Sequence, residues 1–106
     1  IGLDNLSRNG SELNIDPLRN LGITIIRGDI RNPSDLKTLP SVDWVLDCAA
    51  NPSVLAGIGN DTSSRQVMEH NLVGTINLLE YCKQKGIDWF ASAWDTESLI
   101  FLDKLV

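Results

Sequence analysis

The sequence predicts an α/β fold built on a parallel sheet. Two observations carry that prediction. Short apolar, β-branched runs alternate with amphipathic segments in the order strand, helix, strand, helix, strand, helix, strand, which is the order of a parallel sheet with helical crossovers. Each candidate strand also finishes on a polar or small group, as strands do when their carboxyl ends face a ligand.

Taken in order, residues 1–4 ("IGLD") read as the last residues of a strand, with its beginning outside the sequence. Residues 11–20 suit a short helix opened by Ser11 and Glu12, with Leu13 and Leu18 as its apolar positions. Residues 23–27 are β-branched and run into Gly28-Asp29, which marks a second strand. Residues 32–39 form a helix start: Asn32 can cap it, and Pro33 suits the first helical position. "VDWVLDCAA" (42–50) reads as a third strand and "IDWFAS" (87–92) as a fourth. The strongest helix lies between them. Ser63 and Gln66 have capping-box spacing, and Val67, Met68, Leu72, Ile76 and Leu79 keep to one stripe. Lys83 and Lys85 fall in its last turn, and Gly86 follows as the C-terminal cap.

With 106 residues the chain holds one domain at most, with a core of modest size. Its net charge of −5 and scattered Lys and Arg argue against a nucleic-acid or anionic-membrane partner, since both need clustered positive charge. No apolar stretch reaches membrane-span length, and no signal segment opens the sequence. Cys48 and Cys82 lack metal or redox spacing and read as thiols of a reducing compartment, so the cytoplasm is the expected location.

The strand ends are Asp4, Asp29, Cys48-Ala49-Ala50 and Ser92. In a dinucleotide fold an acid at the end of the second strand accepts hydrogen bonds from the adenosine ribose. Asp4 suits that role and would repel the extra phosphate of NADP, favouring NAD, although Arg8 nearby could accommodate a phosphate. Asp29 could accept from the adenine amino group, and Ala49 and Ala50 would let a cofactor approach the backbone. Against this stands the simpler reading that a strand-end Asp is a turn former.

The stretches "LDNLSRNGSELN", "GDIRNPSDL", "VDWVLDCAANPSV" and "EHNLVGTINLLEYCK", in this order, resemble the extended short-chain dehydrogenase/reductases, and among them the nucleotide-sugar epimerases and dehydratases. "NLSRNGSE" and "AANPSVLAG" lean towards the CDP-paratose (CDP-tyvelose) 2-epimerase branch. The resemblance spans residues 1–92. It implies that residues 1–106 are a partial NAD(P)-binding Rossmann domain. It also implies that Asp4, with Asn5 and Ser7, meets the adenosine ribose, and that Asp29 and Ile30 bracket adenine. Ala49 and Ala50 would lie against the cofactor, Asn51 and Ser53 towards nicotinamide and sugar. Asn71 would order the site from the long helix, and Ser92 would bind a sugar hydroxyl as the catalytic residue of the set. A purely structural hydrogen bond is an equal reading of Asn71. His70 reads as an exposed helical residue, and Asp47 has no firm explanation.

Two family features have no match. A first strand and G-x-x-G-x-x-G turn, which would lie in the sheet centre between the strands ending at Asp4 and Ala50, are absent. So is the Y-x-x-x-K acid/base pair; Tyr81 and Lys85 have its spacing but sit on the wrong helix. The expected reaction is epimerisation of a nucleotide sugar by hydride transfer to NAD and back, with this stretch inactive alone. The alternative is a non-catalytic nucleotide-binding or interaction module, whose exposed sheet edge pairs with a partner or a second copy.

Overall fold

The computed structural model describes residues 1–51, 63–88 and 95–104. Strand β1 (Gly2–Asp4) pairs in parallel with β2 (Ile25–Arg27), in the register Gly2 to Ile25, Leu3 to Ile26 and Asp4 to Arg27. The Gly2 amide donates to the Thr24 carbonyl (2.9 Å) and the Gly28 amide to the Asp4 carbonyl (3.1 Å), closing the ladder at both ends. A 3₁₀ turn (Ser11–Asn14) and helix α1 (Ile15–Asn20) make the crossover. Gly22, at φ 79°, takes the left-handed conformation that stops α1 and turns the chain into β2. The fold is α/β with a parallel sheet, as the alternation of elements predicts.

Local chemistry sets the remaining helices. Helix α2 (Pro33–Lys37) starts at Asn32, whose Oδ1 accepts from the Ser34 amide (3.2 Å), with Pro33 in its first turn. Helix α3 (Ser64–Met68) carries the expected capping box: Ser63 Oγ accepts from the Gln66 amide, and Gln66 Oε1 accepts from the Ser63 amide. A π-helical turn (Glu69–Val73) leads into α4 (Gly74–Lys85), which Gly86 ends at φ 69°. Helix α5 (Thr96–Asp103) follows, in a stretch where the pattern predicts no element.

Two expectations are corrected. Residues 42–50 form no strand. A strand needs a neighbour, and β1 turns its paired edge to β2. An open apolar cleft of about 300 Å³, lined by Leu3, Ile30, Val45, Leu46, Leu78 and Tyr81, separates its other side from this segment. Second, the helical stripe that includes Met68, Leu72 and Ile76 is not the buried face: those three are about half exposed. Leu78, Tyr81 and Cys82 of α4 instead meet Leu36 of α2, with Leu3, Ile30, Leu39, Val45 and Ile87 partly buried around them. The expected fourth strand lies mostly outside the described residues; Ile87 and Asp88 are in none.

Helix α4 sits close to the turn that follows β2. A Cβ built on buried Gly74 would fall 2.5 Å from Ile30 Cδ1 and 2.7 Å from its Cγ1. Asn77, three residues on, donates from Nδ2 to the Ile30 carbonyl (2.9 Å). Gly74→Ala is therefore expected to lower the urea midpoint. Ala is the better helix former by about 1 kcal/mol, but overpacking a tight contact costs about 1–3 kcal/mol. An unchanged or raised midpoint would show that Ile30 yields freely.

Candidate nucleotide-binding site

The parallel pair delivers Asp4 and Gly28-Asp29 to one edge, where two polar turns begin. In the first, Asp4 Oδ1 accepts from the Leu6 amide (2.7 Å) and Asn5 Oδ1 from the Ser7 amide (3.0 Å). These side-chain bonds hold Leu6 at φ 54°, a conformation that non-glycine residues seldom adopt.

The second turn is organised by Asp29. Its Oδ1 accepts from the Arg31 amide (2.9 Å) and from Arg31 Nε (2.9 Å), while its Oδ2 accepts from Arg31 Nη2 (2.6 Å) and Asn5 Nδ2 (2.9 Å). The Asn5 bond ties the two turns together. The Asp29 amide donates to Asp35 Oδ2 (2.8 Å), fastening the turn to α2, and Asp35 Oδ1 accepts from Asn32 Nδ2 (2.8 Å). Hydrogen bonding from Arg31 holds the Asp29 carboxyl well below the usual carboxylate range, and the same contact raises Arg31. Arg31 Nη1 also lies 3.9 Å from Glu69 Oε2, whose other oxygen accepts from Arg65 Nε (2.7 Å).

A cleft of about 230 Å³ opens between these turns and residues 48–50. It gathers seven of the expected cofactor residues: Asp4, Asn5 and Ser7 on one wall, Asp29 and Ile30 on another, Ala49 and Ala50 on the third. Asn51 and Asn71 are not on its surface but bind each other. Asn71 Oδ1 accepts from the Asn51 amide (2.8 Å), and its Nδ2 donates to the Asn51 carbonyl (3.3 Å). This pairing fastens the chain after Ala50 to the π-helical turn, a kind of helix irregularity that often marks functional sites. Ser53 and Ser92 lie outside the described residues.

His70 departs from its sequence reading, and the structure explains Asp47. His70 is half-buried and lines the cleft, with Nδ1 2.6 Å from the Gln66 carbonyl. A single histidine on a helix has no pattern in the sequence that would reveal this. Asp47 is exposed, and its Oδ1 accepts from the Ala49 amide (2.9 Å), so it needs no buried partner. Arg8 and Ser11 also reach the cleft, next to Asp4. Tyr81 is a core residue, 4% exposed, consistent with its place on the wrong helix for acid/base work. Among the described residues no cluster could hold a metal ion, and no helix is long and apolar enough to cross a membrane.

The Asp29 bonds predict an acid response. Its folded-state pKa lies below the unfolded value of about 3.9. The ionised carboxylate therefore stabilises the fold above about pH 4, and that contribution is lost as pH falls through this value towards the lower, folded one. Between pH 5 and pH 3 the stability of the unaltered chain should fall more steeply than that of Asp29→Asn. Equal slopes in denaturant titrations at the two pH values would contradict this.

A model of the NAD dependent epimerase/dehydratase family matches residues 1–96. No curated protein and no solved structure matches the chain significantly. The family match covers both strands, both polar turns, every residue of the cleft and the long helix behind it, and the chain belongs to the NAD-dependent epimerase/dehydratase family.

Proposed function

We propose that this chain carries the adenosine-binding part of an NAD-dependent nucleotide-sugar epimerase. The observation that supports this most is the cleft at the ends of the two parallel strands, with Asp4 at its mouth. Asp4 Oδ1 is bonded to the Leu6 amide, and Oδ2 has no partner among the described residues. An exposed carboxylate oxygen in that position suits two ribose hydroxyls. Ala49 and Ala50 present no bulk that would keep a ligand off the backbone. At about 230 Å³ the cleft is smaller than the roughly 300–1,000 Å³ of whole-ligand pockets, which fits a nucleoside better than a complete dinucleotide.

Ile30 would lie against the purine, held by Gly74 and Asn77 from behind. Asn71 would keep Asn51 and the following loop directed towards nicotinamide and sugar, and Ser92 would meet a sugar hydroxyl. Bound NAD supplies a hydride acceptor that, once reduced, is the donor for the return step. The substrate we favour is a CDP-linked sugar epimerised at C2, on the "NLSRNGSE" and "AANPSVLAG" stretches. The 106 residues alone are expected to bind without turnover, because Tyr81 is packed in the core and unsuited to proton transfer. Two free cysteines, Cys48 and Cys82, favour a reducing compartment, the cytoplasm.

Asp4 repels a ribose phosphate and favours NAD, an effect that Arg8 on the same cleft reduces. Calorimetry should find AMP and NAD binding, with NADP weaker. Asp4→Asn keeps an oxygen for the Leu6 amide but removes the charge. It should weaken AMP about tenfold, the scale of a hydrogen bond to a charged group, and narrow the gap between NAD and NADP. Equal affinity of the unaltered chain for NAD and NADP would reject the preference, and an absence of AMP binding would reject the site.

One observation favours the second reading, association through the sheet edge. The apolar 300 Å³ cleft lies on the side of β1 away from β2, and the buried Tyr81 hydroxyl that lines it has no hydrogen-bond partner among the described residues. A strand from a second copy would cover that edge. Light scattering should then show mass rising with concentration; a monomer throughout the range would reject this reading.

A further inference from the structure

An asparagine side chain can close on the backbone amide of the residue after it when that amide is free. Asn9 is the one asparagine of the sequence that a glycine follows. It is exposed, and neither its side chain nor the Gly10 amide has a hydrogen-bond partner among the described residues. The turn that carries it is closed by the bond from the Ser11 amide to the Arg8 carbonyl (3.0 Å). Gly10 stands at φ 87° and has no side chain to keep its nitrogen from a neighbouring carbonyl carbon.

Other asparagines show the contrast. Asn14 and Asn20 are exposed too, but the amides that follow them are occupied. The Ile15 amide donates to the Glu12 carbonyl, and the Leu21 amide to the Pro17 and Leu18 carbonyls (3.3 and 3.1 Å). Asn32 and Asn51 precede prolines, which carry no amide hydrogen.

We infer that Asn9 is a site of spontaneous deamidation, and that its conversion tunes the cleft beside it. The Gly10 nitrogen bonds to the Asn9 side-chain carbonyl carbon. The amino group on that carbon leaves as ammonia, taking up the Gly10 amide proton, and a succinimide remains. Water then opens the ring at either carbonyl. One opening gives aspartate with the ordinary backbone. The other gives isoaspartate, whose backbone runs through the side chain.

Both products place a negative charge between Arg8 and Ser11, which line the same cleft as Asp4. Arg8 has no ion-pair partner among the described residues, so its charge is open to an anion. The new carboxylate offsets that charge and repels an added ribose phosphate. Isoaspartate also lengthens the chain inside the turn that the Ser11 amide closes. The converted chain therefore discriminates more strongly against NADP. This consequence rests on the cleft being a nucleotide site, as proposed above; the conversion itself does not.

The test incubates the folded chain at mildly alkaline pH and maps its peptides by mass spectrometry. Asn9 should show the mass gain of an amide turned acid, as both aspartate and isoaspartate, while Asn14 and Asn20 remain amides. Incubation in urea should convert Asn9 at a similar rate, since the fold leaves the Gly10 amide free. Asn9→Gln, whose longer side chain closes a less favoured ring, should stay unconverted. Conversion of Asn9 no faster than of Asn14 and Asn20, or conversion in urea but not in the folded chain, would overturn the assignment. Calorimetry on the converted chain should find NADP weakened about twofold more than NAD, the scale of one added charge acting through water. Asn9→Asp should reproduce that loss without isoaspartate. An unchanged ratio of NAD to NADP affinity in both would contradict the effect on the cleft. Failure of the fresh chain to bind either nucleotide would reject the site and that effect together, while the mass gain at Asn9 would still uphold the conversion.

Discussion

The Asp29 carboxylate holds together parts of the molecule that the sheet does not. Two strands of three residues each supply little rigidity, and a lone two-stranded ribbon is marginal in water. From Asp29 one bond runs to Asn5 in the turn after β1, three come from Arg31, and its own amide reaches Asp35 at the start of α2. One residue later, the Ile30 carbonyl is bonded to Asn77, and the Ile30 side chain fills the space that Gly74 leaves on α4. Within two residues the chain thus touches β1's turn, α2 and α4. The cleft is the surface that these attachments leave open.

The same economy explains why the core is small. Leu36, Leu78, Tyr81 and Cys82 are its buried hydrophobic residues among those described, and all but Leu36 lie on α4. Helices α2 and α4 pack over one side of β1, while an apolar cleft remains on the way to residues 42–49. Trp44 and Leu46 of that segment are 79% and 89% exposed, and Met68, Leu72 and Ile76 form a further apolar row on the long helix. A protein this short buries a modest share of its surface. Hydrogen-bonded polar turns therefore carry a large part of the order around the site.

What was legible in the sequence was local. The Asn32 cap, the Ser63–Gln66 box and the Gly86 stop each depend on residues within one turn of one another, and each is present. Strand ends at Asp4 and Arg27 follow from β-branched runs that meet polar or glycine residues. Residues 42–50 have an equally good strand pattern, but pairing is decided by a neighbour in space, which a pattern does not contain. The long helix shows the same limit. Its stripe has the right period, yet which face is buried depends on where α2 and Ile30 sit.

The candidate site divides in the same way. The positions of Asp4 and Asp29 at one edge are implied by parallel strands, whereas Ala49 and Ala50 reach the same cleft although residues 42–50 form no strand. The pairing of Arg31 with Asp29 joins residues only two apart and is local enough to be legible. The Asn71–Asn51 and Asn5–Asp29 contacts join residues distant in the chain and have no local signature. The central claim is that this edge is a site for the adenosine half of a dinucleotide. Amide chemical-shift mapping of the unaltered chain during titration with AMP tests it most directly. The account predicts saturable shifts confined to Asp4–Ser7, Gly28–Ile30, Ala49–Ala50 and His70. Shifts that never saturate, or that gather around Leu3, Val45 and Tyr81 in the apolar cleft, would contradict it.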